Sequence, residues 1–126
     1  MRIQLLSMRD HRKLTAFQMA DALVLEIYRA TANFPRGELL GLTSQMRRAA
    51  VSVAANIVEG SARESLKEYV HFLDLAFGSL RELGYLIDLS CRIGFLSSDQ
   101  ATELGGHHDK CAGVLTGLIR SLRDKI

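Results

Sequence analysis

Residues 34–65 read FPRGELLGLTSQMRRAAVSVAANIVEGSARES, and this stretch decides the fold. It opens on the chain's only proline, Pro35, and then turns helical in period. Leu42, Met46, Ala49, Val53 and Ile57 recur at threes and fours, which on a 3.6-residue helix makes one apolar stripe. Gln45, Arg48, Ser52, Asn56 and Glu59 fall at i, i+3, i+7, i+11 and i+14, a second, polar stripe beside the first. One helix therefore carries a greasy seam and an ordered polar seam together.

Working outward, the same period continues on both sides. From about Asp10 to Asn33 a helix is marked by Leu14, Phe17, Leu23 or Val24, Ile27 and Thr31. Phe34-Pro35 stops it, because a residue before proline is pushed out of the α region. Gly37 and Gly41 flank a short turn, and Thr43 or Ser44 is placed to cap the second helix, unless helical structure starts nearer Glu38. That helix runs to about Val58, with Gly60 as its stop. Ser61 or Ser65 is placed to cap a third helix, and Ser65 has Glu68 three residues on, a capping-box spacing. Tyr69, Phe72 or Leu73, Ala76, Leu80, Leu83, Ile87 and Ser90 give its inner face, and Gly94 ends it. Gly78 and Gly84 inside it point to a second backbone passing close by. Ser97, Ser98 and Asp99 cap a fourth helix faced by Leu104, Cys111, Leu115, Leu118 and Leu122. Gly105-Gly106 predicts a kink or a late start there.

These elements predict an all-α, antiparallel (up-down-up-down) four-helix bundle. Residues 1–9 read as an N-terminal leader and residues 10–126 as a single domain. A chain of 126 residues, 48% hydrophobic and 24% charged, is long and apolar enough for one core and too apolar for disorder. No window is long and uncharged enough for a membrane span, and no signal-peptide core opens the chain, so a cytoplasmic protein is expected. Cys91 and Cys111 fit no redox or metal spacing and read as free thiols.

The stretch FP..E..GLTSQMRRAAVSVAANIVEGSARES, followed by EYVHFLDLAFGSLRELGYLIDL and GFL, resembles the four-helix-bundle family of 23S rRNA intervening-sequence proteins, also called the S23 ribosomal protein family. The resemblance covers about residues 14–96 and extends to the fourth helix by pattern. Its signature positions here are Phe34, Pro35, Glu38, Leu42, Gln45, Arg47, Arg48, Ser52, Asn56, Glu59, Gly60, Arg63, Gly78, Ser79 and Glu82. Gly105-Gly106, and Ala54-Ala55 before Asn56, depart from the family pattern. The resemblance implies a ring-like homopentamer of a family with no established enzymatic activity, so no enzyme is expected. It also implies kinship with accessory variability proteins of diversity-generating retroelements, which bind nucleic acid and partner a reverse transcriptase.

Two readings of the polar seam stand side by side. Gln45, Arg48, Ser52, Asn56 and Glu59, with Glu82, form either a strip buried between helices or between subunits, or a strip facing RNA. Alanines around it favour close packing with mutual hydrogen bonds, hence assembly. For nucleic acid the candidates are Arg47, Arg63 and Lys67, with Arg9, Arg12 and Lys13 adding a diffuse field. Tyr28, Tyr69 and Tyr85 are spread along helices, which disfavours stacking of single-stranded bases. The leading function is thus a non-enzymatic oligomeric scaffold binding RNA. The alternative is a protein-interaction module that docks a partner such as a reverse transcriptase. His107 and Cys111 stand at i, i+4, but no further ligands follow in series, so neither a metal site nor a cofactor is expected.

Overall fold

The structure, a computed structural model, describes residues 9–126. Of the expected leader, only Arg9 falls within them. Four helices follow in order: α1 (Thr15–Thr31), α2 (Leu42–Ser61), α3 (Leu66–Arg92) and α4 (Ser98–Arg123). Short 3-10 turns at His11–Lys13 and Arg36–Glu38 precede α1 and α2. No strand occurs among the described residues, and no described helix is long and apolar enough to cross a membrane.

The helix contacts close a circle: α1 touches α2, α2 touches α3, α3 touches α4, and α4 returns to α1. Among the described residues no close backbone approach runs across a diagonal, so each helix packs on two neighbours and leaves an outer face to solvent. The α2–α3 contact is the most extensive of the four and the α1–α4 contact the least.

The apolar stripe of α2 lies wholly in the core, with Met46 and Ile57 at 0% exposure and Leu42, Ala49 and Val53 buried beside them. Against it stand Tyr69, Leu73, Ala76, Leu80, Leu83, Ile87 and Ser90 of α3, all buried. The open pairs in the sequence resolve in favour of Leu23 over Val24 and Leu73 over Phe72. On α4, Ile119 joins Leu104, Cys111 and Leu115 in the core, whereas Leu118 and Leu122 are only half-buried. Two buried hydroxyls bond back to carbonyls on their own helices. Thr31 Oγ1 donates to the Ile27 carbonyl at 2.7 Å and Ser90 Oγ to that of Leu86 at 2.8 Å.

Helix ends follow capping chemistry, with one correction. Ser65 Oγ accepts from the Glu68 N–H, and Ser97 with Gln100 forms a full capping box. Neither Thr43 nor Ser44 caps α2. The helix starts one residue earlier, at Leu42, and Glu38 reaches forward from the 3-10 turn to accept the Leu42 N–H at 3.1 Å. Phe34 is buried and packs on Phe95, 5.4 Å between ring centroids, so the loop before α2 is held to the loop before α4.

Five glycines differ from the sequence reading. Gly60 is not a stop but lies inside α2, where an added Cβ would sit 2.9 Å from Phe72 Cβ. The stop at Gly94 holds, with φ of 87°. Gly78 faces open space, and only Gly84 is crowded, by the His108 ring instead of a backbone. Gly105-Gly106 neither delays nor ends α4, which runs unbroken from its capping box.

Candidate functional site

The polar seam rises from α2 and meets α3. Ser52 Oγ lies 2.8 Å from Ser79 Oγ, a hydroxyl pair across the helix contact. Asn56 Nδ2 donates to the Ser52 carbonyl at 2.9 Å and to Ser52 Oγ at 3.1 Å. Gln45 Nε2 donates to Glu82 Oε2 at 3.3 Å. Glu59 instead pairs one turn on with Arg63, at 2.7 Å. Ser52 and Asn56 are half-buried, while Gln45, Arg48, Glu59 and Glu82 are exposed. Within one chain the helices therefore do not bury this seam. It borders a shallow polar groove along the α2–α3 contact, and Arg48 lines the rim.

The adjacent arginines diverge. Arg47 turns back to α1, with Nε donating to Thr31 Oγ1 at 2.9 Å and Nη2 to the Tyr28 carbonyl at 3.3 Å. Its guanidinium stacks 4.5 Å above the Tyr28 ring. A cation on carbonyls near a helix C-terminus also suits the helix dipole. Arg47 is thus a tie between helices before it is anything else.

Beside it lies an apolar corner made of residues outside both stripes of α2. Leu40 is 93% exposed and Leu39 60%, and with Tyr28 and Val51 they line an open groove that Arg47 and Arg48 also border. The signal was present as two leucines between Gly37 and Gly41, where a loop would ordinarily be polar.

The remaining cations collect near the α2–α3 turn. Arg9 stacks 4.5 Å over the Tyr69 ring and donates to the Arg63 carbonyl, joining residues 54 apart in sequence. Arg63 in turn covers Phe72 at 4.9 Å. Arg12 pairs with Asp10 at 2.9 Å, and its hydrogen bond holds the Asp10 carboxyl below its ordinary value. Lys13 and Lys67 are exposed. Burial raises the Tyr69 hydroxyl, which the Arg9 charge partly offsets.

Of the chemistry-bearing cluster on α4, Cys111 is fully buried, and burial pushes its thiol up to about 11. His107 stands one turn before it on the same helix. It bonds through Nδ1 to Glu26 of α1, and Glu103 stands close to both. His108 Nε2 lies 3.0 Å from the Leu80 carbonyl.

Four α-helices in a closed circle of contacts, with no strand among the described residues, define an all-α protein. The family model of the 23S rRNA-intervening sequence protein matches residues 12–117, and the chain belongs to that family. Among solved structures it is similar to a crystal structure of a protein of unknown function from the S23 ribosomal protein family of Bacteroides thetaiotaomicron VPI-5482. The two share 18% identity and a TM-score of 0.75 over 83% of this chain and 98% of that one, a likeness of fold. No curated protein matches the chain.

Proposed function

We propose that the chain works by association, as a non-enzymatic subunit of a homo-oligomer, with the ring of five implied by its family resemblance. The observation that carries this reading is the apolar corner of Tyr28, Leu39, Leu40 and Val51. Leucines at 93% and 60% exposure gain about 1.5–3 kcal/mol each when fully covered, enough to favour a second copy once several meet. The polar groove on the same helix supplies hydrogen-bonding groups to fix register. The carboxylates Glu59 and Glu82 are engaged by Arg63 and Gln45, an arrangement of ties instead of an acid–base pair.

An up-down path fits the subunit. Met46 meets Ser90, Ser52 meets Ser79 and Gly60 meets Tyr69, so α2 ascends as α3 descends. Two free thiols suit a reducing, cytoplasmic setting. The test is mass by light scattering at several concentrations. Wild type should run as a single species near five times 14.0 kDa. Leu40→Glu, fully outward and harmless to the fold, should dissociate it with an unchanged circular dichroism spectrum. An unchanged mass in that variant overturns the reading.

A second reading, binding of structured RNA, is favoured by one contact. Arg9 on Tyr69 and on the Arg63 carbonyl brings the N-terminal cations to the α2–α3 turn, where Arg63 and Lys67 stand. Arg9, Arg12, Lys13, Arg63 and Lys67 then form one field instead of two, suited to phosphate more than to bases. In salt-varied titrations, Lys13→Gln with Lys67→Gln should lower the slope of log affinity against log salt by about 1–2. Absence of binding to structured RNA, single strands and duplex DNA at low salt would leave protein docking, including a reverse transcriptase, as the remaining role.

A further inference from the structure

The least extensive contact of the bundle, α1 against α4, carries its most concentrated ligand chemistry. Glu103 and His107 stand at i, i+4 on α4 and so share a face. Glu26 reaches them from α1, 81 residues from His107 in sequence. One carboxylate oxygen from each glutamate and one imidazole nitrogen lie within 4.8 Å of one another. The geometry points to a divalent transition-metal site here, of the zinc class, that pins the first helix to the last.

The donor set selects the ion. One imidazole nitrogen with two carboxylates is borderline in softness and suits Zn2+, whereas Mg2+ and Ca2+ prefer six or more oxygens. Zinc bonds to such donors run about 2.0–2.2 Å, which places the donors of a tetrahedral ion about 3.4 Å apart. Glu26 and His107 part from their hydrogen bond to admit the ion, and Glu103, which is exposed, closes on it by rotamer change. Two carboxylates also fully balance the charge of the ion. Glu26 and His107 are half-buried, so two of the three ligands are already oriented, while the exposed third leaves an entry path.

The surroundings fit a structural clamp with one open position. Ala22, Leu25, Ala30 and Leu104 make an apolar wall behind the carboxylates. Arg29 lines the same hollow, one turn from Glu26. Zinc would bridge the first helix and the last, closing a loop between residues 81 apart in sequence.

The experiment uses the full chain stripped with EDTA and titrated with ZnCl2, with CoCl2 as the spectroscopic probe. One Zn2+ should bind per chain at about 10 µM or tighter and raise Tm by roughly 5 °C. Co2+ should show the intense visible absorption of four-coordination and lose it when Zn2+ is added. Glu103→Gln, on an exposed residue that leaves the fold intact, should weaken binding at least tenfold and remove the Tm shift. His107→Ala should do the same, and Mg2+ should give no shift. If Zn2+ binds equally to Glu103→Gln, then other histidines or thiols hold it and the assignment is wrong. If no ion binds by about 100 µM, Glu26–His107 is a hydrogen-bonded pair only and the assignment is equally overturned.

Discussion

The α2–α3 and α1–α4 contacts join helices in the same bundle by different means. The first is built around small groups on α2: Ser52 meets Ser79, and Gly60 lets Tyr69 and Phe72 come close. Backbones approach closely there because nothing large intervenes. The second is built from long side chains, with Glu26, Glu103 and His107 meeting across a looser seam. The close seam depends on shape, so it tolerates no added volume. The loose seam depends on charge and hydrogen bonding, so its strength is set by what occupies it.

The largest effect should come from adding volume to the close seam. Gly60→Val places its Cβ 2.9 Å from Phe72 Cβ and 3.1 Å from the ring of Tyr69, which is buried. Overpacking of this kind costs about 3 kcal/mol and should lower Tm by roughly 10 °C in thermal melts. A loss within 2 °C would show that the two helices are not held in close register.

A middle effect should come from the hydroxyl network. Asn56→Ala removes donors to the Ser52 carbonyl and Oγ in a half-buried setting, worth about 1 kcal/mol in a single chain by denaturant melts. If the seam also lies between subunits, the same variant should weaken association beyond that figure. Equal losses in monomeric and assembled protein would confine the network to the subunit.

The smallest effect concerns the loose seam. At pH 8, iodoacetamide should label Cys91, which is half-buried, and spare Cys111, buried with its thiol raised to about 11. Mass spectrometry should therefore find one modified thiol per native chain. Labelling of Cys111 at denaturant too low to unfold α2 and α3 would show that α4 opens on its own.

Much of the fold was legible because it is local. The stripe Leu42, Met46, Ala49, Val53, Ile57 is a matter of period, and each residue is buried. Ser65 and Gly94 signal helix ends through their own backbone and side-chain chemistry. What escaped the sequence lies between elements. Gly60 reads as a stop in one dimension and as a contact with Phe72 in three. Glu38 displaced Thr43 and Ser44 as the cap because a 3-10 turn carries it back to the helix start. Arg47, a candidate for phosphate, is drawn to Tyr28 and Thr31 by a partner helix that spacing alone does not reveal. The Glu26–Glu103–His107 group was invisible for the same reason, since no regular spacing links α1 to α4.

The ring-on-ring packing of Phe34 and Phe95 has a consequence for how the chain can be divided. A cut between Ser61 and Leu66 separates α1 and α2 from α3 and α4. The α2–α3 contact, the α1–α4 contact and the two phenylalanines all cross that division. Each half would carry an unfinished core whose complement is the other half. The protein is in this sense a pair of fragments tethered by one short turn, suited to reconstitution from separately made pieces.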